Sequence, residues 1–147
     1  MNLQLFAERL AELIFDSKLI ARDVAKLVGV GKTTLYEYLS GTKMPTLNNL
    51  IKLAEYFICS TDYLLGLENE QFDLSFLPCK PFSVRFKEVL EHFKISRYKL
   101  EQITGIAEST LYYWAKGEKT PTIDSIVNVC KKLDCRFDFF IGRSKVC

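Results

Sequence analysis

Apolar residues recur every three or four positions along most of the chain, which is the spacing of one face of an α-helix. The segment from Ile20 to Val28 has this pattern, and so has the segment from Leu35 to Leu39. Gly29 lies between them, where a helix that ends on a left-handed residue needs a glycine. The pattern predicts two helices joined by a short turn, with apolar faces at Val24, Leu27, Val28, Leu35, Tyr38 and Leu39.

The turn itself reads GVGKTT and ends with the Gly-Lys-Thr of a nucleotide-binding phosphate loop. A phosphate loop also needs an earlier glycine where this chain has Lys26, and a buried strand before it. The segment before Gly29 has no glycine at that position, and its apolar spacing predicts a helix and not a strand. We therefore interpret the segment as a turn between helices and predict no nucleotide cofactor.

An internal repeat organises the whole chain. TLYEYLSGTKMPT, which begins at Thr34, returns as TLYYWAKGEKTPT at Thr110, an offset of 76 residues. At this offset residues 6–66 align with residues 82–142 without a gap, and 15 of the 61 pairs are identical. The second copy keeps the turn glycine at Gly105 but has no Gly-Lys-Thr, so the lysine is not required by the unit.

A common local structure follows from the two copies. Each has a helix that ends at a glycine, an apolar residue that turns inward, and Thr33 or Ser109 as a cap for the next helix. That next helix buries Leu35 or Leu111 with its neighbours and leaves one polar face outward. The outward residues are Lys32, Thr33, Tyr36 and Glu37 in the first copy and Glu108, Ser109, Tyr112 and Tyr113 in the second. This is the pattern of a helix-turn-helix.

Each copy resembles a DNA-binding domain of the XRE, Cro and lambda-repressor-like family. The resemblance rests on the glycine turn, on SGTKMPT and KGEKTPT after the second helix of the motif, and on STDYLLG and RFDFFIG near the end of each copy. It implies an all-α protein with two tandem five-helix domains, at 1–67 and 82–147, joined by a linker at 68–81. The implied helices cover 3–16, 21–28, 32–39, 46–57 and 61–66, and then 82–93, 97–104, 108–115, 122–133 and 137–142.

The resemblance also implies which residues contact DNA. Base contacts are expected from the start of the second helix and the outward face of the third, and phosphate contacts from a lysine just beyond. Lysine and arginine suit guanine, glutamate suits cytosine, and a threonine or tyrosine suits the methyl group of thymine. The candidates are Ala21, Lys32, Thr33, Tyr36, Glu37 and Lys43, with Arg97, Glu108, Ser109, Tyr112, Tyr113 and Lys119.

Charge separates the two copies. Residues 1–68 hold seven basic and eight acidic side chains, a net charge of −1, whereas residues 81–147 hold 12 basic and eight acidic, a net charge of +4. Because non-specific DNA affinity comes from phosphate neutralisation, the second copy is expected to be the stronger electrostatic anchor.

Other chemistry finds little support in the sequence. The five cysteines include no Cys-x-x-Cys, and we expect Cys59, Cys130 and Cys135 to be small buried hydrophobes. His92 has no partner at metal-ligand spacing, and no nucleophile and base are paired, so we predict no metal, no cofactor and no enzyme. The chain has no run that could span a membrane, and we expect a cytoplasmic protein.

Two functions fit these observations. The first is sequence-specific binding of double-stranded DNA in the major groove, by a prokaryotic or phage transcriptional regulator of the repressor type with two recognition helices in one chain. The alternative is a helix-turn-helix-derived protein interaction module with weak or no DNA binding, which the near-neutral first copy would suit. Self-association or a protein partner through the fifth helices is left open by the sequence.

Overall fold

A computed structural model describes residues 1–71 and 75–147, and the chain divides into unit 1, Met1–Leu74, and unit 2, Ser75–Cys147. The described residues form ten α-helices and no strand. None of these helices is both long and apolar enough to cross a membrane. Unit 1 contains α1 (Leu3–Asp16), α2 (Ala21–Val28), α3 (Lys32–Leu39), α4 (Leu47–Phe57) and α5 (Thr61–Leu64). Unit 2 contains α6 (Phe82–Phe93), α7 (Arg97–Thr104), α8 (Glu108–Lys116), α9 (Ile123–Leu133) and α10 (Phe137–Phe140).

The all-α class is confirmed, and the helix boundaries differ from the expected ones only at some ends. α4 and α9 begin one residue later than expected because Thr46 and Thr122 are their N-caps. Each of these hydroxyls accepts a hydrogen bond from the backbone N–H three residues on, as N-cap residues do. α8 runs one residue further, to Lys116, and α5 and α10 each end two residues earlier, before a glycine with positive φ.

The core of unit 1 is built around the helix-turn-helix. Tyr38 of α3 is fully buried, its ring meets Phe6 of α1 edge to face at 5.9 Å, and its hydroxyl accepts a hydrogen bond from Asn49 at 3.0 Å. A buried tyrosine needs such a partner for its polar end. α3 is thereby fixed to α1 and α4 by its inward face, and its other face is left open to a ligand.

Unit 2 buries a larger aromatic cluster in the same place. Trp114, which replaces the tyrosine, has its ring 5.5 Å from Phe86 and 5.9 Å from Phe82. Phe140 of α10 closes the cluster, with its ring 6.0 Å from Phe82. The buried stripe that the sequence predicts for α8, which consists of Leu111, Trp114 and Ala115, is confirmed.

An arginine joins the first helix of each unit to the last. The Arg9 guanidinium donates hydrogen bonds to the carbonyls of Tyr63 and Glu68 and lies 4.0 Å from the centre of the Tyr63 ring. Arg85 repeats the arrangement in unit 2, with a hydrogen bond to the Phe139 carbonyl and its guanidinium 4.8 Å from that ring. The repeated arginine thus has a structural role in both units.

Unit 2 contains a buried ion pair between Arg143 and Asp138. Their side chains are 1% and 0% exposed, and Arg143 Nη1 is 2.9 Å from Asp138 Oδ1. The Arg143 guanidinium also lies 4.2 Å from the centre of the Phe76 ring. Unit 1 cannot form the equivalent pair, because the repeat places Leu67 at the position of Arg143.

The residues expected to form a linker include segments that contact the units. Gln71 accepts a hydrogen bond from the Ser60 N–H at 2.7 Å in unit 1. In unit 2, Leu77 donates its N–H to the Arg143 carbonyl at 2.9 Å. Residues 72–74 of the expected linker lie outside the described residues.

Two expectations about burial are wrong in part. Leu27 has the spacing of a buried residue, but its side chain is exposed and the nearby Ala25 is buried in its place. The helix is only eight residues long, so a small rotation moves one edge of the apolar face into solvent. Cys59 and Cys130 are buried as expected, whereas Cys135 is half-buried.

Candidate nucleic-acid interface

The turn of each helix-turn-helix is made by a glycine in the left-handed conformation, as the sequence predicts. Gly29 has φ of 84° and Gly105 has φ of 77°, and each donates its N–H to the carbonyl four residues earlier. A Cβ atom added to either glycine would have no heavy atom within 4 Å. The glycines are therefore needed for their backbone conformation and not for close packing.

The expected caps of the recognition helices are wrong. α3 begins at Lys32 after Gly31, and α8 begins at Glu108 after Ala107, so Thr33 and Ser109 are the second residues of their helices and not the caps. In unit 2 the Glu108 N–H instead donates to the Glu101 carboxylate of α7 at 2.7 Å. A carboxylate is a favourable partner for the positive end of a helix. Thr33 and Ser109 are exposed, so a ligand can reach them.

The outward side of α8 gathers most of the candidate residues of unit 2. Arg97 Nε is 3.3 Å from Glu108 Oε1, and the Arg97 guanidinium lies 5.1 Å from the centre of the Tyr112 ring. Lys119 Nζ lies 4.9 Å from the centre of the Tyr113 ring. We call this surface the α8 face; it consists of Arg97, Glu108, Ser109, Tyr112, Tyr113, Lys116 and Lys119.

Lys116 belongs to this face although it was not among the residues predicted from the sequence. Its Nζ lies 5.1 Å from the centre of the Tyr112 ring, on the side chain four positions earlier. A hydrogen bond to the Tyr112 side chain raises the pKa of Lys116 above its ordinary value. The signal for it was present in the sequence, because residues at i and i+4 share one side of a helix.

The corresponding surface of unit 1 lies on α3 and just beyond its end. We call it the α3 face; it consists of Lys32, Thr33, Tyr36, Glu37 and Lys43. Lys43 Nζ is 3.5 Å from Glu37 Oε2, and both side chains are about half exposed, so the pair is weakly held. Tyr36 is exposed, in contrast to the buried Tyr38 two residues on.

Further basic residues lie beside the α3 face. Arg22 and Lys26 of α2 line a shallow depression together with Lys32. Arg22 is 3.9 Å from the Asp23 carboxylate, in an exposed pair. Arg22 and Lys26 were not predicted as site residues, although their i, i+4 spacing places them on one side of α2.

The two helix-turn-helix segments carry similar local charge. Residues 21–43 hold four basic and two acidic side chains, a net charge of +2. Residues 97–119 hold four basic and three acidic, a net charge of +1. Both surfaces therefore present a mild positive charge to a polyanion, which favours phosphate contacts.

Metal chemistry receives no support from the residues described. In the ranges 1–71 and 75–147, no group of three or more histidine, cysteine, aspartate or glutamate side chains could hold a metal ion. His92 is exposed and rests against the rings of Phe93 and Phe139, at 4.8 and 5.0 Å between ring centres.

Comparisons with known proteins match both units. A family model described as Helix-turn-helix matches residues 17–64, and one described as Cro/C1-type HTH DNA-binding domain matches residues 85–141. The uncharacterized HTH-type transcriptional regulator YobD of Bacillus subtilis (strain 168) is 32% identical over 66 residues, which are 45% of this chain and 59% of that protein. The chain thus spans less than two thirds of that relative's length. No solved structure matches the chain.

Proposed function

Because the chain belongs to the XRE and Cro-like helix-turn-helix proteins, with two such domains in tandem, we propose that it is a sequence-specific DNA-binding regulator that uses both recognition helices. In this proposal α3 and α8 enter the major groove of double-stranded DNA, where base edges can be distinguished. The observation that carries the proposal is the α8 face, on which cationic and hydrogen-bonding side chains are collected around one exposed helix.

Base reading is assigned to the outward faces of α3 and α8 and to Arg97 at the start of α7. Lys32 and Arg97 are suited to the two acceptors on guanine, and Glu37 and Glu108 to the amino group of cytosine. Thr33, Ser109 and the tyrosines Tyr36, Tyr112 and Tyr113 complete the surface with hydroxyl groups and apolar ring edges.

Arg97 is held in place before DNA arrives. Glu108 pairs with its guanidinium on one side and the Tyr112 ring supports it on the other. A side chain that is already restrained loses less conformational freedom on binding, which favours a defined contact. The Glu108 carboxylate also repels the phosphates of DNA. The Arg97–Glu108 pair therefore favours sequence discrimination more than it favours affinity.

Phosphate contacts are assigned to Lys43 and Lys119, which follow their recognition helices. Such contacts fix the register of the protein on DNA and carry no sequence information. Lys119 rests on the neutral Tyr113 ring, whereas Lys43 lies beside the Glu37 carboxylate, which repels phosphate. Lys119 is therefore the more effective of the two.

A regulatory role of the repressor type fits a chain with two DNA-reading surfaces. The name of the relative, an HTH-type transcriptional regulator, supports the regulatory part of this proposal. A bound repressor acts by occupying its operator, and a chain with two reading heads can occupy a two-part operator.

A second candidate function is a protein interaction module, and one observation favours it for unit 1. Phe15 and Ile20, at the end of α1 and directly before α2, are 81% and 56% exposed. Large apolar side chains exposed together often mark a protein contact. Under this second function, unit 1 binds a protein through Phe15 and Ile20, either in addition to binding DNA through its α3 face or instead of it.

A binding selection tests the proposed function. The full chain is incubated with a pool of random-sequence duplex DNA, and bound fragments are separated by gel shift at two salt concentrations. We expect an enriched site, and weaker binding at the higher salt because counterions are released on binding. Failure to bind bulk DNA at low salt, with no enriched site, would leave the interaction module as the function.

A matched pair of variants locates the binding surface in unit 2. Arg97→Ala with Lys119→Ala removes two positive charges from the α8 face, and Lys131→Ala with Lys132→Ala removes two from the end of α9. The total charge lost is the same in both variants. We expect the first variant to bind the enriched site more weakly and with less base discrimination in one part of it, and the second to bind it like the wild type; equal weakening by both would point to a non-specific effect of charge.

A further inference from the structure

A shallow apolar depression lies on the surface of unit 1. Its lining is Phe15, Asp16, Lys18, Leu19 and Ile20, which form the end of α1 and the connection to α2. Three of these side chains are large and apolar, and their exposed fractions are 81% for Phe15, 37% for Leu19 and 56% for Ile20. None of the residues of the α3 face lines it.

The fold does not require this apolar surface. The repeat places Glu91 at the position of Phe15 and Ser96 at the position of Ile20, and unit 2 forms the same helices with these polar residues. Ser96 is even the better residue locally, because its hydroxyl accepts a hydrogen bond from the Lys99 N–H and caps α7. Unit 1 lacks a side-chain cap at Ile20. Its apolar residues are thus present at a local disadvantage, which indicates a role outside the unit.

The charges in the depression are self-complementary. Asp16 and Lys18 carry opposite charges at its edge, and both side chains are exposed. Within residues 1–71 and 75–147, neither side chain forms an ion pair. A two-fold axis through the depression would bring Asp16 of each copy to Lys18 of the other, because in such an interface each contact occurs twice.

The fifth helices offer a less suitable surface for association. Their apolar residues Leu64 in unit 1, and Phe137 and Phe140 in unit 2, are fully buried. Phe15, Leu19 and Ile20 are in contrast exposed.

From these observations we propose that the depression is a homodimer interface, whose occupant is the same depression on a second copy of this chain. Phe15, Leu19 and Ile20 of the two copies pack together at the centre, and the two Asp16–Lys18 pairs flank them. The patch is small beside a standard interface of about 800 Å² per partner, so the dimer is weak and forms reversibly with concentration.

Sedimentation velocity of the full chain without DNA tests the proposal independently of any DNA binding. We expect the wild-type protein to shift from monomer to dimer across the micromolar range. Phe15→Glu with Ile20→Ser introduces the residues that unit 2 has at these positions, and we expect it to raise the dimer dissociation constant roughly tenfold or more. A wild-type protein that remains monomeric at all concentrations would overturn the proposal.

Ile58→Asp is the matched control. Ile58 is also exposed, does not line the depression, and corresponds to Asp134 in unit 2. The two residues have φ of 51° and 52°, so the backbone of unit 1 accepts the aspartate. We expect this variant to dimerise like the wild type. A dimer weakened equally by both changes would show that the loss of exposed apolar surface in general, and not the depression, is responsible.

Charge reversal tests the two-fold pairing without removing any apolar residue. Asp16→Lys places like charges opposite each other and should weaken the dimer, whereas Asp16→Lys combined with Lys18→Asp should restore it by reversing both members of each pair. Lys18 has φ of 61°, a conformation that aspartate tolerates. Circular dichroism confirms that each variant is folded. If the double reversal is as weak as the single one, the proposed pairing is wrong.

Discussion

Residues 1–68 carry a net charge of −1 and residues 81–147 a net charge of +4, yet their helix-turn-helix segments do not follow this difference. The segment 21–43 of unit 1 has a net charge of +2, and the segment 97–119 of unit 2 has +1. The surplus positive charge of unit 2 lies elsewhere, in part on Lys131, Lys132 and Arg136 at and after the end of α9. The whole-unit charge is therefore a poor guide to the stronger reading surface.

The location of a charge decides its effect on DNA binding, because only charges close to phosphates release counterions. Unit 1 combines Lys26 and Lys32 near the turn with an excess of acidic side chains elsewhere. Unit 2 combines Arg97, held by Glu108, with basic residues outside the helix-turn-helix. The expectation that unit 2 is the stronger anchor thus stays a prediction, and the local charges weigh against it.

The units also differ in how they are stabilised. Unit 2 has the aromatic cluster around Trp114 and the buried pair of Arg143 with Asp138. Unit 1 leaves Phe15 and Ile20 exposed. Both units have the same fold. Substitutions at equivalent positions therefore distinguish the residues that the fold requires from the residues that are particular to one unit.

Arg143→Ala is expected to cause the largest loss in the free energy of unfolding of unit 2. Asp138 would be left buried with Arg136 as the nearby cation, 4.0 Å away, and the loss of a buried partner costs about 3 kcal/mol or more. Denaturant unfolding followed by the fluorescence of Trp114, the single tryptophan, measures the stability of unit 2.

Lys80→Ala is the control for this prediction. Lys80 Nζ is 2.8 Å from Glu88 Oε2, almost the same distance as in the buried pair, but both side chains are substantially exposed. An exposed pair contributes much less to stability than a buried one, because water and salt screen its charges. Equal destabilisation by the two variants would contradict the importance of burial.

Much of the fold could be predicted from the sequence because two copies constrain each other. A helical apolar pattern, a glycine and a Pro-Thr recur at the same offset, and together they placed the helices to within two residues at their ends. Gly29 and Gly105 were identified because a left-handed turn explains a retained glycine between two helical patterns.

Features that depend on distant residues could not be predicted. The Glu101 carboxylate replaces a cap at the start of α8, and this contact joins two helices across the turn. Leu27 is exposed because the orientation of a short helix is set by its neighbours and not by its own pattern. The pairing of Arg97 with Glu108 likewise becomes visible only when α7 lies beside α8.

Gly29→Ala and Gly105→Ala are expected to destabilise their own units by similar amounts, and by less than Arg143→Ala destabilises unit 2. Both glycines have positive φ and open space around an added Cβ, so the cost is the backbone strain alone, about 1–2 kcal/mol in each unit. Trp114 fluorescence should report only the second variant, and circular dichroism both. A transition of Trp114 shifted by Gly29→Ala would show that the units do not unfold separately.

The smallest effects are expected on DNA affinity, from substitution of the lysines that follow α3 and α8. Lys119→Ala should reduce the slope of log affinity against log salt by about one unit, without changing the preferred sequence. Lys43→Ala should reduce it by less, because Glu37 already lies beside this lysine. Gel-shift titrations over a series of salt concentrations measure both slopes. A changed base preference for Lys119→Ala would refute its assignment to a phosphate.

Site selection with Lys32→Ala and Arg97→Ala, in parallel with the wild type, tests the central claim that α3 and α8 both read DNA. Each variant is incubated with the same random duplex pool, and the enriched sequences are compared. We predict that the wild type enriches a two-part site, and that each variant loses discrimination at one or two base pairs in a different part, at about 1–3 kcal/mol per bidentate contact. Sites identical to the wild-type site for both variants would contradict the claim.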